Sequence, residues 1–333
     1  SLKKLLHKHK HPFYVSLLRH RELNKLLTTY CAITLDADER LRFKITVPGT
    51  VTSRFSSSKT DWGTGCNVQN LPKNFRKMII PDHADYVIVN VDLKQADPHV
   101  VAWLADERGM LEIMDSGGDL HAHTGSAIAG RDITSDINYD KDTSVDRKLG
   151  KEANNALNYG MQANRFADRI FDRLGLLITP TSAELARQSY FSLYPAIQLW
   201  QNAIEDTINK TRTLKTPFGR VRYFYDRVSP KLYNDARAYI PPTTVSDALN
   251  EGWIMFAKLK FGLRVDVLQQ CHDSLMLQCH RDDLDRVATL LIECIEDVHF
   301  DINGVSRHFE ADVSWGKNWG ELRSWRLNAE GLR

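Results

Sequence analysis

The run Tyr86-Val87-Ile88-Val89-Asn90-Val91 is mostly β-branched or aromatic and ends on Asp92. It reads as a buried strand, so the chain must build a sheet around it. A second stretch, V-D-V-L-Q-Q-C-H-D-S-L-M-L-Q-C at 265–279, reads as two strands joined tightly at His272-Asp273. Between these lies a long, mostly helical pattern from 98 to 212, with a polar break near 130–146. A hairpin-like stretch (212–224), a helix at 243–260, a helix at 281–298 and a last strand before W-G-K-N-W-G complete the second half. At the start, 1–30 reads as helix broken by Pro12, 40–56 as strand and turn, and 61–75 as loop. Strands at both ends with helices between them predict an α+β fold, one sheet domain interrupted by a helical subdomain.

The 333 residues, 42% of them hydrophobic, supply a core that needs no disulfide or metal staple. At roughly 150 residues per domain, two domains or one with subdomains are expected. With 44 basic against 42 acidic residues and many aromatics, disorder is excluded as the main state. No apolar run approaches the roughly 20 residues of a membrane-spanning helix, so no membrane partner is expected. The first residues, S-L-K-K-L-L-H-K-H-K, are not those of a signal peptide, and the chain begins at Ser1 as a trimmed or processed piece would. Cys31, Cys66, Cys271, Cys279 and Cys294 are odd in number and lack C-x-x-C spacing, which points to a reducing compartment. Residues 1–33 carry Lys3, Lys4, Lys8, Lys10, Arg19, Arg21 and Lys25 against Glu22. Such a basic segment suits a polyanion groove, and equally a solvated helix face.

Two acids share a placement: Asp92 directly follows a strand, and Asp273 sits at a strand–strand turn. In one sheet they can meet, and paired carboxylates on rigid strands hold Mg²⁺ with water and phosphates completing its shell. Either acid alone is also what an ordinary turn carries. Arg147, Lys151, Asn155 and Tyr159 are four apart, so each is displaced only about 40° around a helix. Asn154 and Asn158 are expected on the same face. Cations and amides arranged so can neutralise phosphate charge, or simply be solvated.

These residues form recognisable strings. R-x3-K-x7-Y-G at 147–160 resembles the fingers-helix motif of family A DNA polymerases. V-D-L-K-Q-A-D at 91–97 resembles that family's D-Y-S-Q-I-E, and C-H-D-S at 271–274 its V-H-D-E. In the same order along the chain, T-S-R-F-S-S-S (52–58) resembles T-G-R-L-S-S and N-V-Q-N-L-P (67–72) resembles N-L-Q-N-I-P. D-L-H-A-H-T (119–124) resembles D-I-H-x-x-T, T-P-F-G-R-V-R (216–222) resembles T-L-x-G-R-R-R, and G-K-N-W (316–319) resembles G-x-N-W.

The resemblance implies a right hand with an antiparallel-sheet palm, helical fingers and a partial thumb. It assigns 1–33 to a thumb remnant, 34–109 and 213–333 to the palm, and 110–212 to the fingers. Asp92 and Asp273 would be catalytic and, with the Leu93 carbonyl, would ligate two Mg²⁺ ions, for which Mn²⁺ would substitute. Arg147, Lys151 and His121 would hold the triphosphate, Tyr159 would stack at the nascent pair, and Gln95, Asp97 and Asn155 would border the nucleotide. Arg54, Gln69, Asn70 and His272 would approach the primer–template DNA. The implied activity is primer-dependent DNA synthesis from dNTPs in the cytoplasm, of a host if the gene is of phage or mobile-element type. An exonuclease, thumb or processivity chain would be separate partners. Other readings are a sugar-relaxed or RNA-synthesising polymerase, since His-Asp-Ser also resembles single-subunit phage-type RNA polymerases, and a silent DNA-binding subunit.

Several positions depart from the family strings. Leu93 replaces a Tyr, Asp97 a Glu, Asn155 an aromatic, Ser274 a carboxylate and Pro242 a Gln. Asn234 and Ala238 replace an Arg and an Asn. They bear on sugar discrimination, fidelity and grip on the duplex, and leave the metal ligands untouched.

Overall fold

The computed structural model describes Leu5 and residues 11–325. Lys3, Lys4, Lys8 and Lys10 of the basic run lie outside the described residues. Helix α1 (Pro12–Lys25) starts at the expected break, with His11 Nδ1 accepting from the Phe13 amide at 3.1 Å. Pro12 is harmless there, because the first N–H groups of a helix have no partner within it. Strands β1 (Lys44–Thr46) and β2 (Ser56–Ser58) pair antiparallel. After α2 (Lys73–Arg76) comes β3 (Tyr86–Leu93).

Helices then follow in series: α3 (Ala96–Ala105), α4 (Arg108–Asp115), α5 (Leu120–Ala129) and α6 (Val145–Leu157). Next are α7 (Ala163–Leu174), α8 (Pro180–Leu193) and α9 (Pro195–Thr211). A hairpin of β4 (Thr213–Lys215) and β5 (Val221–Tyr223) leads to α10 (Pro230–Arg237) and α11 (Ile240–Leu259). The remainder is β6 (Val265–Cys271), β7 (Ser274–His280), α12 (Leu284–Glu296), β8 (Phe300–Ile302), β9 (Val305–Arg307), β10 (Ala311–Gly316) and β11 (Arg323–Ser324). Helix α11 begins ahead of the expected position because Pro241 and Pro242 fit its first turn without losing a hydrogen bond.

The chain divides into two compact units: 1–94, 249–298 and 310–333, and then 95–248 with 299–309. The first unit holds an antiparallel sheet of order β11-β10-β3-β7-β6, with β3 at its centre. Strand alternation puts Val87, Val89, Val91 and Leu93 on one face of β3, all buried. Each such side chain contributes about 1.5–3 kcal/mol of burial. On the opposite face Ile88 joins Cys66, Val68, Leu71, Met276 and Trp319 in a core cluster. Helix α12 packs on the sheet, and a Cβ on Gly252 would come within 3.0 Å of the Ile295 Cα, so the glycine lets α11 lie close to α12.

The second unit is helical around Met110, Leu120, Leu157, Phe166, Ile170, Tyr190 and Tyr194. Helices α5 and α6 cross at two glycines. A Cβ on Gly150 would lie 2.2 Å from the His121 carbonyl oxygen, and one on Gly125 would lie 2.4 Å from that of Asp146. The β8–β9 hairpin also belongs to this unit, with Phe300 and Phe309 against Trp103.

Candidate active site

In the first unit the two expected acids come together through the ladder. Asp92 faces Ser274 on β7 on one side and Asp312 on β10 on the other. Asp273 lies in the turn between β6 and β7, and its carbonyl accepts from the Leu93 amide at 3.1 Å. His272 begins that turn at φ 59°, a left-handed conformation that costs a non-glycine residue about 1–2 kcal/mol. Ser274 Oγ helps hold the turn by donating to the Cys271 carbonyl at 2.9 Å.

The side chain of Asp92 shares the face of Ile88 but opens to solvent. Crowding by surrounding protein, followed by the charges of Asp273 and Asp312, pushes Asp92 up to about 7. Like charges placed directly across neighbouring strands destabilise a sheet, so this cluster is not there for stability. Sequence reasoning missed Asp312. Only the register with β3, more than two hundred residues away, brings it opposite Asp92.

The residues expected near DNA lie in the same unit. Gln69 Nε2 donates to the Phe55 carbonyl at 3.1 Å and the Gln270 carbonyl at 2.8 Å. It thereby ties the 67–72 loop to β6. Arg54 closes a turn whose backbone accepts from the Gly49 amide at 3.0 Å. Asn70 has an exposed side chain, while its carbonyl accepts from Tyr30 Oη at 3.0 Å.

The second unit carries the cations. Ser144 Oγ accepts from the Arg147 amide at 3.2 Å and starts α6. Asp119 caps α5 through 3.0 Å bonds from the His121 and Ala122 amides. Its other oxygen accepts from Arg147 Nε at 2.5 Å. Burial alone would raise Asp119, but that guanidinium and the Ala122 amide hold it below the usual carboxylate range. His121 Nδ1 accepts from Asn154 Nδ2 at 3.0 Å, leaving Nε2 to carry the proton. Burial first, then Arg147, holds this imidazole down to about 4, so it is neutral near pH 7. Lys151 and Asn155 are exposed on α6. Tyr159 follows the helix, ahead of Gly160 at φ 77°, whose Cα backs onto the Arg237 guanidinium. Gln95 sits at the start of α3 at φ 44°, and Asp97 in its first turn.

Asn154 and Asn158 do not lie on the solvent-facing stripe with Lys151 and Asn155. They are 0% and 3% exposed. Asn154 Oδ1 accepts from Thr124 Oγ1 at 3.0 Å, and Asn158 Oδ1 accepts from Tyr190 Oη. Residues one position apart fall 100° round a helix, and here that separates a wet stripe from a hydrogen-bonded core stripe.

Two departures from the family strings have visible local roles. Pro242 occupies the first turn of α11, and Asn234 Oδ1 accepts from Arg237 Nη1 at 2.9 Å. Among the described residues no helix is long and apolar enough to cross a membrane, and no group of three or more His, Cys, Asp or Glu is arranged to hold a metal.

The family model described as DNA polymerase family A matches residues 1–321. DNA polymerase I of Helicobacter pylori (strain J99) is 26% identical over 329 residues, covering 94% of this chain and 34% of the relative. Thermostable DNA polymerase I of Thermus thermophilus is 28% identical over 330 residues, covering 93% and 36%. The chain thus spans about a third of the length of these curated relatives. Among solved structures, the POL domain of Pol1 from M. smegmatis, in complex with DNA primer-template and dNTP, has a TM-score of 0.82 at 22% identity. That match covers 96% of this chain and 55% of the other, and it is a likeness of fold.

Proposed function

The chain belongs to DNA polymerase family A, and from that premise we propose that it performs template-directed, primer-dependent DNA synthesis from dNTPs. The observation that carries the reading is Asp92, set opposite Asp312 and beside Asp273, with its carboxyl pushed up to about 7 by crowding and by those charges. A cation relieves that repulsion. The donor set fits a hard divalent ion: carboxylate oxygens and the Leu93 carbonyl. The scarcity of protein ligands suits Mg²⁺, which keeps waters and takes substrate phosphates as further ligands. Asp92, Asp273 and the Leu93 carbonyl would hold two such ions, which would supply activation of the primer 3′-hydroxyl and charge stabilisation for the leaving pyrophosphate.

The rest of the work belongs to side chains. Arg147 and Lys151 neutralise the triphosphate with charge-assisted hydrogen bonds. His121, neutral and protonated on Nε2, donates one further bond without adding charge. Tyr159 presents an aromatic face to the nascent pair. Asp97 and Tyr159 are the groups on which the choice between deoxyribose and ribose rests, and Asp, shorter than the family Glu by one methylene, excludes a 2′-hydroxyl less tightly. The thumb, palm and fingers assignments carry over as part of the same proposal, with Arg54, Gln69, Asn70 and His272 toward the DNA.

The test is extension of a labelled primer–template with Mg²⁺ and either dNTPs or NTPs. The chain should extend the primer, and Asp92→Asn or Asp273→Asn should reduce the rate to background without abolishing DNA binding. If either variant keeps more than a few per cent of the activity, the metal ligands are elsewhere. A chain that binds primer–template and extends nothing is a silent binding subunit.

A further inference from the structure

The sheet face that carries Asp92 also holds a charge pair that the family string D-Y-S-Q-I-E lacks. Strand alternation puts Lys94 on the same face as Asp92. The ladder to β10 continues past the end of β3, with the Lys94 amide donating to the Glu310 carbonyl at 2.9 Å. Lys94 therefore lies across from Glu310 just as Asp92 lies across from Asp312. The Lys94 ammonium reaches Glu310 Oε2 at 2.9 Å and Asp312 Oδ1 at 3.5 Å. The family string has an uncharged Ser at this position.

We infer that Lys94 and Asp312 set, in opposite directions, how tightly the Asp92–Asp273 pair takes a divalent cation. The inference rests on the reading of that pair as metal ligands. Directly opposed residues of an antiparallel pair have Cβ atoms about 4.5–5.5 Å apart, so the charge of Asp312 is felt at the Asp92 carboxylate. A third negative charge at that range attracts a doubly charged ion. The ammonium of Lys94 offsets the same charge and competes with the ion for it. Neither group need touch the ion: Asp312 adds field, Lys94 subtracts it, and both are positioning residues. Their side chains are 70% and 42% exposed. Solvent and salt therefore screen them, and the expected effect of removing either is about three- to tenfold in affinity.

The experiment is a titration of Mn²⁺ into the full chain at low ionic strength, without nucleotide or DNA, with free ion followed by electron paramagnetic resonance. Asp312→Asn should raise the Kd about three- to tenfold, and Lys94→Ser should lower it by a similar factor. The double variant, whose net charge equals that of the starting chain, should return close to the original value. Added KCl should shrink all three differences. Asp92→Asn is the control. If it weakens Mn²⁺ binding while Lys94→Ser leaves the Kd unchanged or raises it, the inference fails and the metal site stands. If Asp92→Asn changes nothing, both fall.

Discussion

The carboxylate end of the central sheet and the crossing of α5 with α6 are both dense in charge, yet they are built on opposite terms. Around Asp92 the neighbours are Asp273 and Asp312, and the carboxyl is pushed up to about 7. Around Arg147 the neighbours are a carboxylate and a carbonyl, from Asp119 and Lys141, and the adjacent imidazole is neutral. One region gathers like charges around a crowded carboxyl. The other is settled in advance by hydrogen bonds. Charge in a fold therefore does not by itself indicate stability; what matters is whether the fold or a ligand supplies the partner.

The sharpest test of that contrast is to neutralise each region. Asp92→Asn should lower nucleotide incorporation by about a thousandfold or more, since a lost metal ligand forfeits several kcal/mol at about 1.36 kcal/mol per decade. The same change should raise the melting temperature of the metal-free chain, because it removes a like-charge repulsion. A lowered melting temperature would mean that Asp92 is a structural acid.

Arg147→Ala and Lys151→Ala should each cost about ten- to a hundredfold in kcat/KM for dNTP, the range of a charge-assisted hydrogen bond. They should part in stability. Loss of Arg147 strands the Asp119 carboxylate and lowers the urea midpoint, whereas loss of exposed Lys151 leaves the midpoint in place. Equal midpoints would show that Arg147 is not wired into the fold.

A smaller contrast lies within α6. Asn154→Ala should destabilise by about 1–3 kcal/mol, because Thr124 and His121 lose a buried partner. Asn155→Ala, one residue on and exposed, should stay within about 0.5 kcal/mol. Urea denaturation of the two variants decides it.

The smallest net effect is in the pH profile of stability of the starting chain, where two groups oppose each other. Native Asp92, at about 7, sits above its ordinary 3.8 and holds a proton that the unfolded chain releases. Its contribution therefore falls as pH rises between those values. Native His121, at about 4, sits below its ordinary 6.5, so its contribution is lost as pH falls through that window. The slopes oppose each other in the starting chain. Asp92→Asn should leave stability rising from pH 4 to 6.5, and His121→Gln should leave it falling. Parallel profiles in both variants would remove the contrast.

What the sequence disclosed follows the range of the interactions involved. The placement of Asp92 and Asp273 was legible because one follows an apolar strand and the other sits in a tight strand–strand turn, patterns written in adjacent residues. Arg147 and Lys151 were legible because helical spacing is local too. Asn154 and Asn158 were misread as part of the wet stripe because the hydroxyls that bind them, from Thr124 and Tyr190, come from other helices. Asp312 was invisible for the same reason at greater distance: a cross-strand neighbour is fixed by register, and register is decided by the whole sheet. The fold class was plain from the strand–helix–strand order, but the crossing at Gly125 and Gly150 was not, since a glycine in a helical pattern has no periodic signature.

That crossing has a consequence for binding. At Gly125 and Gly150 the backbones of α5 and α6 approach directly, and beside them Thr124 and His121 are held to Asn154 by hydrogen bonds across the two helices. His121 on one helix and Arg147 and Lys151 on the other thus share a single rigid frame. The spacing of their backbones is set when the chain folds, not when a phosphate arrives. A ligand that met them would lose little entropy in ordering the helices, so more of each contact would appear as affinity.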